Sequence, residues 1–481
     1  MKYLPPALLL LSLFCSATLL ARKPVDGQIY WFEFKDKGSA HKIHLSPQPS
    51  LSPKAIERRR KFGIPIADDD LPVNQDYLNQ LRQQGAVVVG ASRWLNGALA
   101  SIDDTLAVER IDGLPFVKRE KERKPEPKRA KPFKPVDCKK ERIPIALVED
   151  VDTLYGEASR PVSMLQGDRL HRNGLWGNGI TIAVIDEGFY GADVHPAFDS
   201  LRLSGRLLGY KDFTGRPSSF FSYERYDHGT KVLSCLAANR QGVLMGMAPE
   251  ASYWLLSSEY SPEESPLEEY YWVFATEFAD SVGVDIISSS LGYFRFDDSR
   301  GNYSCNDFYK HRSPASKAAA CAWQKGIVVV ASAGNEGQGS WRYLLFPGET
   351  PEIITVGSIG KEGKVSDFSS RGYRKKSIIK PDFVAPGEQI CLTDGEDSYL
   401  FQDGTSFSAP LVSGLIACCL QANASLTNNE IKRLLIETAT LSGKPNRCYG
   451  YGMPNFGKMI ERIGIPSLRA CEAIHDTILQ Y

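Results

Sequence analysis

Apolar positions change rhythm along the chain. Between residues 22 and 117 they alternate, or recur at helical spacing, in short segments closed by turn residues. "QIYWFEF" (28–34) alternates and is rich in aromatics, which predicts a strand. "SPKAIERRRKFG" (52–63) opens on Ser-Pro and closes on Gly63, and "NQDYLNQLRQQG" repeats the plan with an Asn or Asp cap and Gly85; both predict helices. "AVVVGASRWLNGALASI" predicts two strands broken near Asn96-Gly97, and "DDTLAVERIDG" a short helix before "LPFVKRE". Together these make a small α+β domain ending near Val117.

From Lys118 to Arg142 periodicity stops. Prolines and charges forbid a packed core there, which predicts an exposed linker open to proteolysis. From about residue 151 the apolar positions come as unbroken runs: "ITIAVID", "SYWLLSS", "VDIISSSLG", "GIVVVASAG", "EIITVGSI" and "KPDFVAPG". Runs of this kind read as strands buried on both faces of a parallel sheet. They alternate with the helical stretches "TKVLSCLAAN", "PLEEYYWVFATEFADSVG" and "SPASKAAACAWQKG". The fold expected is α/β, a doubly wound, mostly parallel sheet behind the small α+β domain. In such sheets the chemistry lies beyond the carboxyl ends of the strands.

Composition adds a compartment. With 42% hydrophobic and 24% charged residues the chain is globular rather than disordered. Its start, "MKYLPPALLLLSLFCSATLLA", predicts a secretory signal cut after Ala17 or Ala21. Pro5-Pro6 argues against a membrane anchor, and bulky Phe14 against a lipid on Cys15. No later run of about 18 apolar residues predicts a span. The expected location is periplasmic, cell-surface or extracellular. Of ten cysteines, nine remain after the signal, without CxxC pairs or metal-type spacing, and Cys418-Cys419 read as buried free thiols. Residues 22–142 hold 25 Lys or Arg against 17 Asp or Glu, and residues 143–481 hold 31 against 40. The two halves should attract. Nucleic acid is not the expected partner, because the basic residues are interleaved with Glu and Pro.

Four polar residues follow the predicted strands or open helices. "ITIAVIDEGF" ends its run in Asp186, "YDHGTKV" sets His228 at a helix start, and "VVVASAGNEG" closes on Asn335. "DGTSFSAPLVSG" places Ser406 in a Gly-Thr turn ahead of a helix opened by Ala409-Pro410-Leu411. Each has an ordinary reading: a turn carboxylate, a structural histidine, a turn asparagine, an N-cap serine. As a set they supply one chemistry. A serine hydroxyl needs an imidazole to take its proton, and the imidazole needs a carboxylate to hold its tautomer. The tetrahedral intermediate needs donors, which an Asn amide and a helix-start N–H provide.

"AVIDEGF", "DHGTKV", "SAGNEG" and "GTSFSAP" resemble the signature blocks of the subtilisin-like serine proteases, and the likeness runs over roughly residues 165–457. The order Asp–His–Ser is that of the family. The resemblance implies that Asp186 orients His228, that His228 is the general acid and base, that Ser406 is the nucleophile and that Asn335 is an oxyanion donor. It also implies that Ser290, Leu291 and Gly292, opposite Ala331-Ser332-Ala333-Gly334, bind an extended polypeptide substrate, with Trp341, Arg342 or Tyr343 narrowing the pocket or packing on the surface. The front domain resembles the prosegment of exported bacterial subtilases, an intramolecular inhibitor expected to lie across the acidic catalytic face until the linker is cut.

The sequence departs from the family at Glu187, where Thr or Ser is frequent; a solvent-facing Glu187 is the expected reading, while an inward one would raise the pKa of His228. Phe407 is expected simply to pack. The carboxylates of "SSEYSPEESPLEEYY" (257–271) have two readings, a structural calcium site and a helix start complementing its dipole, of which the second is preferred. No cofactor is expected for the chemistry. The metal question stays open, and a monomer is expected.

The domain reading is therefore a signal peptide (1–21), prosegment (22–117), basic Pro-rich linker (118–150), catalytic domain (151–457) and helical tail (458–481). The activity expected is that of a secreted serine endopeptidase made as a zymogen. The alternatives are an exported binding or scaffold protein on an inactive subtilase fold, disfavoured because all four chemical positions are filled, and a narrow-specificity maturation peptidase.

Overall fold

The computed structural model describes residues 28–38, 51–118, 138, 142–145, 153–215, 219–222, 225–259, 263–373 and 377–464. The expected signal, most of the linker and the end of the tail lie outside the described residues.

The front domain is built from β1 (Gln28–Glu33), α1 (Pro53–Lys61), α2 (Gln75–Gln83), β2 (Val87–Ser92), β3 (Gly97–Ile102) and α3 (Thr105–Asp112). The three helices start where a side chain can take an orphan N–H: Ser52 accepts from Ala55, Asn74 from Asp76 and Asp104 from Leu106. The strands form an antiparallel sheet in the order β1-β3-β2. Phe32, Phe34, Leu81, Ala98, Ala100 and Ile111 close its core.

The second unit begins with α4 (Ser159–Leu165) and α5 (Asp168–His171), followed by β4 (Thr181–Asp186), α6 (Asp199–Leu203), β5 (Leu207–Asp212) and α7 (His228–Ala237). A short hairpin, β6 (Asn239–Arg240) and β7 (Leu244–Met245), leads to β8 (Ser252–Ser257), α8 (Leu267–Val282) and β9 (Ile286–Ser289). Then come α9 (Pro314–Gln324), β10 (Val328–Ser332), β11 (Ile354–Ile359) and β12 (Phe383–Pro386). The hairpin β13 (Ile390–Thr393) and β14 (Tyr399–Gln402) precedes α10 (Thr405–Ala422), α11 (Asn428–Thr438) and α12 (Phe456–Ile463).

Seven strands make one sheet in the order β12-β11-β10-β9-β4-β8-β5, and every pairing in it is parallel. The six apolar runs are β12, β11, β10, β9, β4 and β8. The seventh, β5, escapes the hydrophobic pattern because one of its faces meets solvent, with Leu208 and Tyr210 exposed, whereas β12 at the opposite edge is buried throughout. α7 packs with α10, α8 with α9, and all four contact the sheet. β4 lies between β8 and β9, so its carboxyl end sits where the chain has wound outwards to both sides.

Four expectations change. The helix after the Gly-Thr turn opens at Thr405, not Ala409, and Pro410 lies inside it. The boundary at 458 cuts α12, whose Met459 and Ile460 are buried in the same core as the sheet. The catalytic unit also reaches back before residue 151. Cys138 is disulfide-bonded to Cys448, Ile143 N–H donates to Gly363 O (3.0 Å), and Cys138 and Ile143 belong to the main core. Cys418 and Cys419 are buried free thiols, as expected.

Last, the described part of the front domain docks on the flank formed by α8 and the end of α9. Trp31 stacks on Tyr270 of α8 at 4.6 Å. Asp280 of α8, fully buried, meets Arg58 at 2.5 Å, Arg59 at 3.0 Å and Arg93 at 2.8 Å. Glu277 of α8 accepts from the N–H groups of Arg93 and Trp94, both at 3.1 Å. Lys325, just past α9, reaches Asp69 at 2.6 Å and Asp70 at 3.0 Å. The attraction between a basic front and an acidic body is concentrated on Asp280 and its three arginines, while Lys325 makes the reverse pairing.

Candidate active site

Asp186 is the last residue of β4 and is fully buried. Its Oδ1 accepts from the N–H of Glu187 (2.9 Å) and stands 2.6 Å from His228 Nδ1. His228 is the first residue of α7, and the next residue allows this approach. A Cβ on Gly229 would lie 2.5 Å from Gly188 O and 3.0 Å from the Asp186 Cβ, so the helix start can reach the strand end only with glycine there. Burial lowers the pKa of His228, but the charge and hydrogen bond of Asp186, helped by Glu187, outweigh it and raise the pKa overall, with Lys231 opposing. With Nδ1 donating to Asp186, Nε2 is the nitrogen left to accept a proton.

Ser406 is the second residue of α10 and is 8% exposed. Its hydroxyl does not cap the helix: the N-cap is Gly404, and Ser406 Oγ lies 3.4 Å from the Ser290 carbonyl. Pro410 explains a second contact. Proline has no N–H to give the carbonyl four residues earlier, which is that of Ser406. The Ser290 hydroxyl donates to this carbonyl at 2.7 Å instead. The end of β9 is thereby tied to the start of α10.

Asn335 follows β10. Its Oδ1 accepts from Thr405 N–H (3.0 Å) and Thr405 Oγ1 (2.9 Å), and Thr405 Oγ1 accepts from Gly334 N–H (3.1 Å). The carbamoyl oxygen is therefore held at the helix start, and the NH2 group is directed away from it. Phe407 is buried, its ring 6.2 Å from the imidazole, and packs as expected.

His228, Ser406 and Asn335 line one cleft of about 340 Å³ together with Ser290, Leu291, Gly292 and Gly334. Ala331 and Ala333 are buried, and only Ser332 of that segment joins Gly334 on the wall. Trp341 and Tyr343 pack with Phe308 and Tyr309, and Leu345 faces the cleft in their place. Thr405 and Leu345 went unnoticed in the sequence; the signal for Thr405 was its place in the Gly-Thr turn.

Glu187, half-buried, also lines this cleft, and its backbone N–H donates to Asp186 at the strand end. Glu259, Glu264, Glu268 and Glu336 line it too. The run at 257–271 partly serves its helix, with Glu268 accepting from Ser265 N–H at 3.2 Å. Among the described residues no group of three or more His, Cys, Asp or Glu is placed to hold a metal ion.

Residues 177–452 match the Subtilase family, and residues 29–135 match the peptidase S8 propeptide domain of Bacteroidota. Serine protease AprX of Bacillus subtilis (strain 168) is 31% identical over 318 residues, covering 59% of this chain and 67% of that one. An intracellular serine protease of Paenibacillus polymyxa is 34% identical over 325 residues, covering 65% and 89%. Subtilisin E of Bacillus subtilis (strain 168) is 31% identical over 299 residues, covering 61% and 69%.

Proposed function

The chain belongs to the subtilase family and is a serine protease carrying a propeptide domain, and from that premise we propose that it is an exported endopeptidase acting through Asp186, His228 and Ser406. The observation that carries this reading is the 2.6 Å contact between His228 Nδ1 and Asp186, at the edge of the cleft that Ser406 also lines.

In this mechanism Ser406 Oγ adds to the scissile carbonyl carbon while its proton passes to His228 Nε2. Asp186 holds the imidazolium that forms. The carbonyl oxygen becomes an oxyanion that takes hydrogen bonds from the Asn335 NH2 and the Ser406 N–H, one of the first N–H groups of α10 that no helical carbonyl can reach. Collapse expels the amine, which leaves with the proton from His228, and an ester remains on Ser406. A water deprotonated by the same imidazole then hydrolyses that ester, releasing the acid and restoring the serine. Ser290–Gly292 borders the substrate chain, to which backbone pairing would give affinity independent of sequence. The propeptide domain is the inhibitor that the zymogen carries, and export is supported by the apolar start together with the propeptide match.

Intact mass and turnover of a denatured protein test the reading together. Wild type should lose the propeptide domain and cut substrate. Ser406→Ala should stay full length, with kcat down by about 10⁶, the loss that accompanies removal of the nucleophile in a subtilisin. Equal cleavage by both proteins would overturn the role of Ser406.

A further inference from the structure

The cleft is charged on one side only. Among the described residues lining it five are Glu and none is Lys or Arg. Four of these carboxylates come from three pieces of chain that the fold brings to the same cleft. Glu187 follows β4, Glu259 follows β8, and Glu264 and Glu268 come from the segment that opens α8. This is the same cleft that holds His228 and Ser406, so the ligand it faces is a polypeptide.

Desolvation first, and then the charges of neighbouring carboxylates, disfavour the ionised form at two of these positions. Burial, then the charge of Glu268, pushes the Glu259 carboxyl well above the usual range, with Glu264 and Glu187 adding, and only the Tyr293 hydroxyl at 2.5 Å opposing. Partial desolvation at the rim of the cleft, then the charges of Asp297 and Glu187, raise Glu264 as well, although its side chain is exposed. A cation entering the cleft would relieve that repulsion. These groups do not form a metal-holding cluster, and a long flexible side chain with a charged end meets such a wall better than a compact ion.

Building on the reading of Ser406 as nucleophile, we propose that Glu187, Glu259, Glu264 and Glu268 make this a protease selective for peptides carrying Lys or Arg in the residues that precede the scissile bond. The chain contains such a peptide. Between Lys118 and the anchored Cys138 it has nine Lys or Arg and four Asp or Glu, in the stretch that leads on from the propeptide domain. That segment is its first substrate.

The test compares quenched peptides that differ only by Lys or norleucine, placed in turn at each of the four residues before the cut. The enzymes are wild type after maturation, Glu264→Gln and Glu259→Gln/Glu264→Gln. Wild type should favour a Lys peptide by about tenfold or more in kcat/KM, and the preference should fall as salt rises. The double variant should lose most of that preference, read as the ratio of kcat/KM for the Lys peptide to that for the norleucine peptide. Glu264 is exposed, so its single variant keeps the test valid should the double variant fail to fold. Equal turnover of Lys and norleucine peptides at every position overturns the selectivity alone. A preference unchanged in Glu264→Gln and in the double variant overturns the assignment to this wall, and equal loss of both activities on chelation would make it a metal site instead. No turnover of either peptide, or equal turnover by Ser406→Ala, removes the nucleophile reading and the selectivity with it.

Discussion

Asp280→Asn should loosen the propeptide domain without harming the enzyme it leaves behind. In the zymogen this carboxylate, fully buried, answers three guanidinium groups, at 2.5 Å (Arg58), 3.0 Å (Arg59) and 2.8 Å (Arg93), all supplied by the propeptide domain. Arg59 keeps Asp70 at 2.8 Å, and Arg58 keeps the carbonyls of Val284 and Lys325, but no other carboxylate reaches Arg58 or Arg93 among the ion pairs described. Removing one member of a buried ion pair costs about 3–5 kcal/mol, because the partner stays buried and uncompensated. At 1.4 kcal/mol per tenfold, that is roughly two to three and a half powers of ten in the dissociation constant of the cut domain. Once the domain has gone, Asp280 loses its cover, so the activity per active site of the freed enzyme should match wild type. The assay is a dilution series of freshly matured protein, reading the concentration at which half the sites become active and whether the cut domain comigrates on gel filtration. A half-activation concentration within threefold of wild type would refute the argument, and would mean that apolar contacts such as Trp31 on Tyr270 carry the docking.

Asn335→Ala should lower kcat by about 10²–10³ with little change in KM, since its amide meets charge only in the transition state; an equal change in KM would count against it. Glu187→Gln should move the acid limb of the kcat/KM profile to lower pH. His228 must be neutral to accept the serine proton, and removing a negative neighbour lowers its pKa, so the base form persists further into acid; an unmoved limb, or one moved to higher pH, contradicts the placement of Glu187. Ser290→Ala should cost about 1–3 kcal/mol in urea unfolding by stranding the Ser406 carbonyl. Adding Pro410→Ala should recover part of that loss, because residue 410 then has an N–H to give; additive losses would refute the coupling. Cys138→Ser should lower stability by about 2–4 kcal/mol, read from the same transition.

Patterning carried most of the sheet. Strands buried on both faces announce themselves as unbroken apolar runs, and the six predicted ones all pair in parallel. Strand β5 stayed hidden because its exposed face breaks the run. The places of Asp186, His228, Asn335 and Ser406, at strand ends and helix starts around one cleft, were legible because ligands of a wound sheet sit beyond its strands' carboxyl ends. What surrounds them was not. The start of α10 was misplaced because proline usually opens a helix, and only the Ser290 hydroxyl, distant in sequence, makes an internal proline tolerable at position 410. The acidity of 257–271 was visible, but which carboxylates turn into the cleft depends on how β8 and α8 meet. The pairing of Cys138 with Cys448 spans 310 residues and leaves no local trace.

That disulfide turns the position of the maturation cut into a choice between two kinds of product. A cut on the amino side of Cys138 frees the propeptide domain as a separate molecule, whose grip then weakens with dilution. A cut on the carboxyl side leaves the domain covalently held through sulfur. Its effective concentration would stay near the millimolar values of a short tether whatever the dilution, and release would wait for a reductant. Where the bond is intact, only the first cut yields an enzyme that leaves its inhibitor behind.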